Sequence, residues 1–299
     1  MSGGNPPVFD TRQVRHAFSR ASNSYASASA LQREVEGWLL ESLDYLDDRV
    51  PGLVLDVGCG PGNAARAMRA RWPKARVVAL DLALPMLRQS PARDGWNPLR
   101  KPIDRVCADL RALPLADASV DVLFSNLCLQ WVDDLPAAFA GFRRVLKPGG
   151  LLLCSTFGPD TLHELRDAFS QADAVPHVSP FVSIAAFGDA LVHAGFRDPV
   201  LDRDVLVRGH ADLPGLMREL RALGATNALH SRRHTLTGRA RFAAASAAYE
   251  PRRRDDGQLP ASWEVITAMA WAPAPGAPIR GVDGETASFP AHRIPVRRR

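Results

Sequence analysis

Residues 53–62 read LVLDVGCGPG, an apolar run that ends in three glycines at alternate positions. Closely spaced glycines after a buried strand let the backbone approach a ligand and begin a helix whose N-terminal amides face that ligand. Dinucleotide-binding proteins use the spacing G-x-G-x-x-G and place a pyrophosphate on those amides. Here Gly58, Gly60 and Gly62 are closer together, and Asp56 stands two residues before the first glycine. This turn could hold a nucleotide-like cofactor.

The carboxylate of Asp56 indicates which cofactor fits. It would repel a pyrophosphate, whereas it can pair with a ligand that carries an ammonium group. S-adenosylmethionine has a zwitterionic amino-acid end and a cationic sulfur, and its product is S-adenosylhomocysteine. We therefore predict S-adenosylmethionine rather than NAD, with Asn63 at the start of the following helix in the same site.

Three later strand-like runs end in residues that suit the rest of this cofactor. Asp81 ends ARVVALD, 19 residues after Gly62, where an acid can accept hydrogen bonds from ribose hydroxyls. Asp109 in VCADL can accept a hydrogen bond from the adenine amino group, although a lone Asp there is often only a helix cap. The predicted cofactor residues beyond the glycine turn are Asp81, Leu82, Met86, Asp109, Leu110, Asn126, Gln130 and Trp131.

The elements that must position these residues alternate between residues 51 and 157. LVLDVG, ARVVALD, DRVCADL, VDVLFSN and LLLCSTF are short apolar runs, separated by helical patterns at 62–71, from about 84, and at 135–145. Apolar runs separated by helices indicate a mostly parallel sheet covered on both faces. The fold class is therefore a doubly wound α/β sheet, with its ligand at the carboxyl ends of the strands.

Helical patterns flank this region. Residues 11–48 predict two amphipathic helices separated near ASNSYASAS, and further helices are predicted at 160–172, 183–194, 212–223 and 237–249. The strand-like runs PVLDRDVLVR and SWEVITAMAW complete a seven-stranded sheet. We expect a helical lid at 1–49, one domain at 50–271 with cap insertions at about 158–195 and 209–250, and a disordered basic tail at 272–299.

Composition excludes several classes of protein. No apolar run approaches the roughly 18 residues of a membrane helix, and the N-terminus lacks a secretory pattern, so we expect a cytoplasmic protein. The four cysteines form no C-x-x-C pair and the histidines show no metal-ligand spacing, so no metal site is predicted. The net charge of +5 suits an acidic partner, although much of it lies in RRR runs at 252–254 and 297–299.

Four motifs in order resemble class I S-adenosylmethionine-dependent methyltransferases over residues 50–157. They are LDVGCGPG, VVALD, CADLRALPLADASVDVLFSNLCLQWV and RVLKPGGLLLCSTF. The flanks, from VRHAFSRASNSYASASALQREV to SWEVITAMAW, are similar to malonyl-acyl carrier protein O-methyltransferases of biotin synthesis, the BioC family. A related group of complex I assembly factors shares HVSPF and the L-R-x-L-G-x-x-N pattern.

The second resemblance implies methylation of the free carboxylate of a malonyl group on acyl carrier protein, by a monomer. Such a carboxylate is already ionised at pH 7, so the site needs a cation or hydroxyl to orient it rather than a strong base. On the positions that match the family, Tyr25, Arg218 and Arg233 are predicted as catalytic residues, and Arg221, His177 and Asn227 as substrate contacts. The acidic carrier protein would meet an arginine-rich rim near Arg232 and Arg233.

Three alternatives remain from the sequence alone. The acceptor could be another small carboxylate or an apolar molecule, if the cap encloses a wide pocket. The chain could also be a binding or assembly protein that keeps the cofactor fold without methylating. Nucleic-acid methylation ranks third, because no aromatic and basic stacking platform and no acidic-Pro-Pro-aromatic motif follows Phe124.

Overall fold

A computed structural model describes residues 8–46, 49–90, 102–235, 237–274, 277, 279–281 and 284–286. Seven strands of this part form one sheet, and their bounds are β1 Leu53–Val57, β2 Arg76–Asp81, β3 Asp104–Cys107, β4 Val120–Ser125, β5 Leu146–Phe157, β6 Arg197–His210 and β7 Leu259–Trp271. The strand order is β3-β2-β1-β4-β5-β7-β6. The predicted seven-stranded, doubly wound sheet is confirmed.

The register explains how one edge of the sheet becomes a binding site. Strand β1 pairs in parallel with both β2 and β4, so the chain reverses its winding direction beside β1. Strand β7 lies antiparallel between β5 and β6, which places SWEVITAMAW in the main sheet as predicted. Val54, Leu55 and Val57 of β1 have no exposed surface, because helices cover both faces of the sheet.

Nine helices of more than one turn are described, and their bounds are α1 Thr11–Ala28, α2 Ala30–Glu41, α3 Asn63–Arg71, α4 Leu84–Gln89, α5 Leu135–Val145, α6 His163–Ser170, α7 Ile184–His193, α8 Leu213–Ala222 and α9 Arg239–Tyr249. Helices α1 and α2, here called the lid helices, precede the sheet. Helices α6 to α9 follow β5 and flank β6 along the chain. In the described part of the chain, no helix is both long and apolar enough to cross a membrane.

The break between the lid helices is shorter than the serine-rich stretch predicts. Helix α1 continues through this stretch to Ala28, and only Ser29 separates it from α2. The hydroxyls of Ser22 and Ser24 donate to carbonyl oxygens three residues earlier, so they do not compete with the helical backbone. Ser24 also donates to the carbonyl of Ala222 at 2.9 Å, which ties α1 to α8. Tyr25 therefore projects from a helix.

The segment after Ala272 contains one element that the prediction of a disordered tail does not include. Strands β8 (Ile279–Gly281) and β9 (Gly284–Thr286) pair with each other in antiparallel fashion. Residues 287–299, including the terminal arginines, lie outside the described residues, so the prediction for them is neither confirmed nor contradicted.

Candidate functional site

The glycine turn after β1 packs tightly against its neighbours. Gly58 has a φ of +70°, and a Cβ at this position would lie 2.3 Å from the Sγ of Cys128. Gly60 has a φ of +52°, and its amide donates to the Oδ2 of Asp81 at 2.9 Å. Both positions therefore need glycine, for the left-handed backbone and, at Gly58, for close contact with the segment after β4.

A cleft of about 90 Å³, here called the cofactor cleft, opens where β1, β2 and β4 end. It collects most of the residues that the sequence assigns to the cofactor, namely Gly58, Gly60, Asp81, Leu82, Met86, Asp109, Leu110, Asn126 and Trp131. The lid contributes Val14, Phe18 and Tyr25 to the same cleft. These residues are up to 73 positions apart in the sequence, from Gly58 to Trp131. They meet because parallel strands end at the same edge of the sheet.

Two of the acids in the cofactor cleft also hold the protein's own groups. Asp81 accepts hydrogen bonds from the amides of Gly60 and Ala83, and burial raises the pKa of its carboxyl. Asp109 caps a short 3₁₀ turn by accepting from the amide of Arg111, and it pairs with the Arg111 guanidinium at 2.5 Å. Asp81 keeps free lone pairs that a ribose can use, whereas Arg111 already donates to both oxygens of Asp109.

A smaller cavity of about 20 Å³, here called the amino-acid cavity, lies beside the glycine turn. Asp56, Gly58, Asn63 and Asn126 line one side of it, and the lid side is lined by Ser29, Gln32, Arg33 and Glu36. Asp56 is 2% exposed, and its Oδ2 accepts from the amide of Ala65 at 3.1 Å. Burial raises the pKa of Asp56, and the charge of Glu36 raises it further. Two carboxylates in so small a cavity suit a cationic group.

Two predicted cofactor residues lie elsewhere. Gly62 lines neither the cofactor cleft nor the amino-acid cavity; a Cβ there would lie 2.2 Å from the Oγ of Ser90, so this glycine serves the packing of the turn. Gln130 lines the neighbouring larger cavity instead, with its Nε2 donating to the carbonyl of Leu127 at 2.6 Å. The sequence motif includes Gly62 and Gln130, but the packing of the segments that follow the strands keeps both residues out of the cofactor cleft.

That larger cavity, here called the acceptor cavity, has a volume of about 380 Å³. Its apolar walls include Phe157, Leu162, Leu165 and Trp263, and it shares Tyr25, Leu127 and Trp131 with the cofactor cleft. Four predicted substrate or catalytic residues besides Tyr25 line it, namely His177, Arg221, Asn227 and Arg233. An acceptor molecule bound here would therefore reach the cofactor through the junction at Tyr25.

The predicted arginines differ in their surroundings. Arg233 donates from Nη2 and Nε to Asp173 at 2.7 and 3.2 Å, and His177 contacts the same carboxylate at 3.1 Å. These hydrogen bonds hold the pKa of Asp173 well below its usual range, with the bond from Arg233 as the largest cause. Arg221 borders the acceptor cavity from α8, and it has neither a hydrogen bond nor an ion pair within the described residues.

Arg218 is not brought into the acceptor cavity. Its side chain is 68% exposed on α8 and lies 3.8 Å from Asp212, on the outer side of the helix. Arg218 and Arg221 are three positions apart, which is nearly one helical turn, so small differences in helix rotation decide which of them borders the cavity. Asn227 lines the cavity, but its Nδ2 donates to the carbonyl of Pro176 at 2.8 Å, so its amide already supports the cavity wall.

Several buried polar atoms around the acceptor cavity lack a hydrogen-bond partner within the described residues. They are the Oε1 atoms of Gln32 and Gln130, the Nε1 atoms of Trp131 and Trp263, and the Oγ1 of Thr226. The Tyr25 hydroxyl also has no hydrogen bond in that part of the chain, and burial raises its pKa. Buried polar atoms are normally paired, so this set indicates a polar ligand in an otherwise apolar cavity.

Glu36 and Arg33 are site residues that the sequence interpretation missed. Gln32 matches the family pattern, and Glu36 lies four residues later on the same face of α2. That spacing, applied to the predicted lid helix, could have placed Glu36 beside the cofactor. The pattern alone does not single out Glu36, because a glutamate on an amphipathic helix is usually a solvated residue.

Comparison with known proteins agrees with this geometry. A family model described as a methyltransferase domain matches residues 55–154, which cover β1 to most of β5. A malonyl-[acyl-carrier protein] O-methyltransferase from Xylella fastidiosa strain M23 is 61% identical to the chain over 98% of both proteins. The chain belongs to the malonyl-[acyl-carrier protein] O-methyltransferase family. The resemblance of the segments before and after the matched domain to this family is thereby confirmed.

Other relatives of the same name in this O-methyltransferase family match over most of their length. One from Methylovorus sp. strain MP688 is 46% identical over 89% of this chain and 90% of its own. One from Halorhodospira halophila is 42% identical over the whole of both chains. Among solved structures, YcgJ from Bacillus subtilis has a TM-score of 0.57 at 15% identity, covering 81% of this chain and 99% of its own. A likeness at that identity shows the fold alone.

The cofactor of this O-methyltransferase is S-adenosylmethionine, and the residues present fit it. The amino-acid cavity offers the buried carboxylate of Asp56 and the mostly buried carboxylate of Glu36 to an ammonium group, and Gly58 and Gly60 leave the turn free of side chains. Asp81 and Asp109 line the cofactor cleft together with the apolar side chains of Leu82, Met86 and Leu110, so these residues would hold the adenosine. This donor and acceptor set matches a nucleoside with a cationic amino-acid end, as Asp56 first indicated.

Proposed function

We propose that this methyltransferase transfers a methyl group to the free carboxylate of a malonyl thioester on acyl carrier protein, in biotin biosynthesis. The observation that carries the proposal is the acceptor cavity, which joins the cofactor cleft at Tyr25 and combines apolar walls with arginines at its border. The relatives' common name supports the same acceptor. The methyl ester would carry no charge into the apolar pockets of later chain-extending enzymes.

The protein's part in this reaction is to position the reactants and to exclude water. Bound S-adenosylmethionine supplies an electrophilic methyl group on a sulfonium. Because an unperturbed carboxyl titrates near pH 4, the acceptor oxygen is ionised at neutral pH and no residue has to remove a proton. Phe157, Leu162 and Trp263 keep the acceptor cavity apolar, which limits water near the transferring group.

Arg233 is our candidate for orienting the malonyl carboxylate. Asp173, 3% exposed, uses Nε and Nη2 of Arg233, which fixes the guanidinium plane and leaves Nη1 for a ligand. The partner carboxylate also offsets part of the positive charge. A fully unpaired arginine would stabilise the charged substrate more than the charge-dispersed transition state and so slow the transfer. Tyr25 and the Nε1 of Trp131 would add neutral donors.

The border of the acceptor cavity suits an acidic carrier protein. Helix α1 contains Arg12, Arg15 and Arg20 and no acidic residue. Residues 221–241 contain five arginines and also lack acidic residues. Both segments contribute to the cavity, through Gln13 and Phe18 in the first and Arg221 and Arg233 in the second. We also propose that α1 and α2 act as a lid and α6 to α9 as a cap, and that the enzyme works as a cytoplasmic monomer.

An acceptor assay tests the proposed function. Purified protein and labelled S-adenosylmethionine would be mixed with carrier protein loaded with malonyl, acetyl or succinyl groups. We expect methyl ester on the malonyl form, none on the acetyl form, which lacks a free carboxylate, and slower transfer to the longer succinyl form. Equal labelling of all three forms, or none of the malonyl form, would contradict the proposal.

A pair of arginine variants tests the orienting role. Arg233→Ala should raise the KM for malonyl-carrier protein by about tenfold or more, because a charge-assisted hydrogen bond to the substrate is lost. The affinity for S-adenosylmethionine should stay within about twofold. Arg218→Ala is the matched control, since Arg218 is exposed and outside the cavity. An unchanged KM in Arg233→Ala would assign the carboxylate to Arg221, whose own alanine variant then carries the effect.

A further inference from the structure

The amino-acid cavity has walls from two parts of the chain. One wall comes from the sheet side, with Asp56 at the end of β1 and Asn63 at the start of α3. The other wall comes from the lid, with Gln32, Arg33 and Glu36 on α2. A group bound in this cavity would therefore touch the lid and the sheet at once.

Glu36 is the lid carboxylate of this cavity. Its carboxylate is mostly buried and accepts no hydrogen bond within the described residues. Neither nearby arginine donates a hydrogen bond to it: Nη1 of Arg33 donates to the carbonyl of Ala26 and to Ser29, and Nη2 of Arg66 donates to Asn63. Burial raises the pKa of Glu36 to about 7, even though the charges of Arg66 and Arg33 lower it.

Two residues of the lid helices line more than one cavity. Tyr25 lines the cofactor cleft, the amino-acid cavity and the acceptor cavity, and Gln32 lines the last two. The backbone carbonyl of Gln32 accepts from Nδ2 of Asn126 at 2.8 Å, and Asn126 in turn accepts from Ser155. The position of α2 over the strand ends thus decides the shape of the acceptor cavity.

We propose that Glu36 binds the ammonium group of the cofactor opposite Asp56, so that the cofactor's amino-acid end holds the lid on the sheet and completes the acceptor cavity. One ammonium donates up to three hydrogen bonds, enough for a carboxylate on each side. The cation also relieves the repulsion between Glu36 and Asp56. Cofactor binding then precedes acceptor binding. This inference rests on the cofactor and not on the malonyl acceptor.

Calorimetry with two adenosine ligands tests the contact. S-adenosylhomocysteine carries the amino-acid end, whereas 5′-methylthioadenosine keeps the adenosine and sulfur and lacks it. Glu36→Gln should weaken S-adenosylhomocysteine binding by about tenfold or more, the usual scale for losing a charged hydrogen bond, and should leave 5′-methylthioadenosine binding within about twofold. Glu34→Gln is the matched control. Glu34 lies on an exposed part of the same helix, where it pairs with Arg208 of β6.

Two results would overturn this contact. One is an unchanged affinity of Glu36→Gln for S-adenosylhomocysteine, and the other is an equal loss for both ligands, which would make Glu36 a merely structural residue. If the wild-type protein bound neither ligand, the proposed function would fail as well. The calorimetry contains no acceptor. A lack of methyl transfer to malonyl-carrier protein would therefore contradict the proposed function and leave this inference unaffected.

Hydrogen exchange of the wild-type protein tests the lid and needs no variant. S-adenosylhomocysteine should slow amide exchange in residues 25–41 by about tenfold, because it links α2 to the sheet. 5′-Methylthioadenosine should slow exchange around the cofactor cleft and leave α2 close to its unliganded rate. Equal protection of α2 by both ligands would show that the adenosine, rather than the amino-acid end, closes the lid.

Discussion

At the scale of single residues, burial and local partners separate the roles of chemically identical side chains. Arg221 and Arg233 border the acceptor cavity, but only Arg233 has its guanidinium plane fixed by a buried carboxylate. Arg218 has the same chemistry and lies in solvent. Because the geometry of a guanidinium decides what it can bind, these three arginines are not interchangeable.

Tyr25 allows a prediction at this scale. Tyr25→Phe should leave thermal stability unchanged, because the hydroxyl has no hydrogen bond within the described residues whose loss would cost free energy. If the hydroxyl donates to the acceptor carboxylate, the KM for malonyl-carrier protein rises by about threefold to tenfold, the effect of one hydrogen bond. Steady-state kinetics and a thermal melt on the same preparation measure both quantities.

Tyr45→Phe is the control for this prediction. Tyr45 is 64% exposed after α2, so its hydroxyl is far from an enclosed cavity and neither quantity should change. A lower melting temperature of Tyr25→Phe with an unchanged KM would instead assign Tyr25 to packing of the lid.

At the scale of elements, helix α2 carries a charge that favours ligand binding but lowers the stability of the unliganded protein. Val35 and Leu39 are buried on one face of α2 and hold the helix on the body of the protein. Glu36, on the neighbouring face, is held near Asp56, and the charges of Arg66 and Arg33 offset only part of its own. An element that carries an unbalanced charge toward a ligand site is less stable without the ligand.

This opposition predicts a pH-dependent difference between wild-type protein and Glu36→Gln. The folded-state pKa of Glu36, about 7, lies above the ordinary value of 4.5, so ionising it costs more in the folded than in the unfolded state. The unliganded wild type should therefore lose stability relative to the variant as pH rises through that window. Allowing for partial exposure, we expect Glu36→Gln to be more stable by about 1 to 2 kcal/mol above neutrality and equal near the ordinary pKa.

Thermal melts of both proteins across this pH range measure the difference. Saturating S-adenosylhomocysteine should cancel or reverse it at the alkaline end, since the ammonium then stabilises the ionised carboxylate of the wild type. The Glu34→Gln variant should follow the wild type at every pH. A constant difference between wild type and Glu36→Gln at all pH values would contradict the assigned ionisation.

At the scale of the whole molecule, charge is distributed unevenly around the acceptor cavity. The segments 11–28 and 221–241 are basic and lack acidic residues, although the chain as a whole has 37 Lys and Arg against 32 Asp and Glu. These two segments therefore give the border of the acceptor cavity a local excess of positive charge, where a carrier protein would approach. A positive border of this kind increases the association rate of an acidic partner, and salt screens it.

Salt dependence tests this distribution. Raising ionic strength from about 0.05 M to about 0.5 M shortens the screening length to a few ångströms. The KM for malonyl-carrier protein should then rise by about fivefold or more, while the KM for malonyl-pantetheine, which has no acidic protein attached, should change by less than about twofold. Equal changes for both acceptors would remove the carrier-protein border from the proposed function.

Much of the cofactor side could be predicted from the sequence because its geometry is local. Asp56, Asp81 and Asn126 each directly follow or end an apolar run, and parallel strands bring such ends to one edge of the sheet. The extent of α1 was not predictable in the same way. Its serine-rich part is helical partly because Ser24 bonds to Ala222 of α8, a contact that no local pattern contains.

The sequence by itself determined the sheet, the glycine turn and the cofactor class, since strand period, glycine spacing and an adjacent acid are local properties. Only the tertiary structure decided which cations and acids face the ligands. Arg233 is paired with Asp173 from 60 positions away, Gln130 lines the acceptor cavity, and Glu36 lines the amino-acid cavity together with Asp56. Such contacts join segments that are distant in the sequence and depend on how the helices pack over the strand ends. That packing is set by the whole core and not by any local pattern.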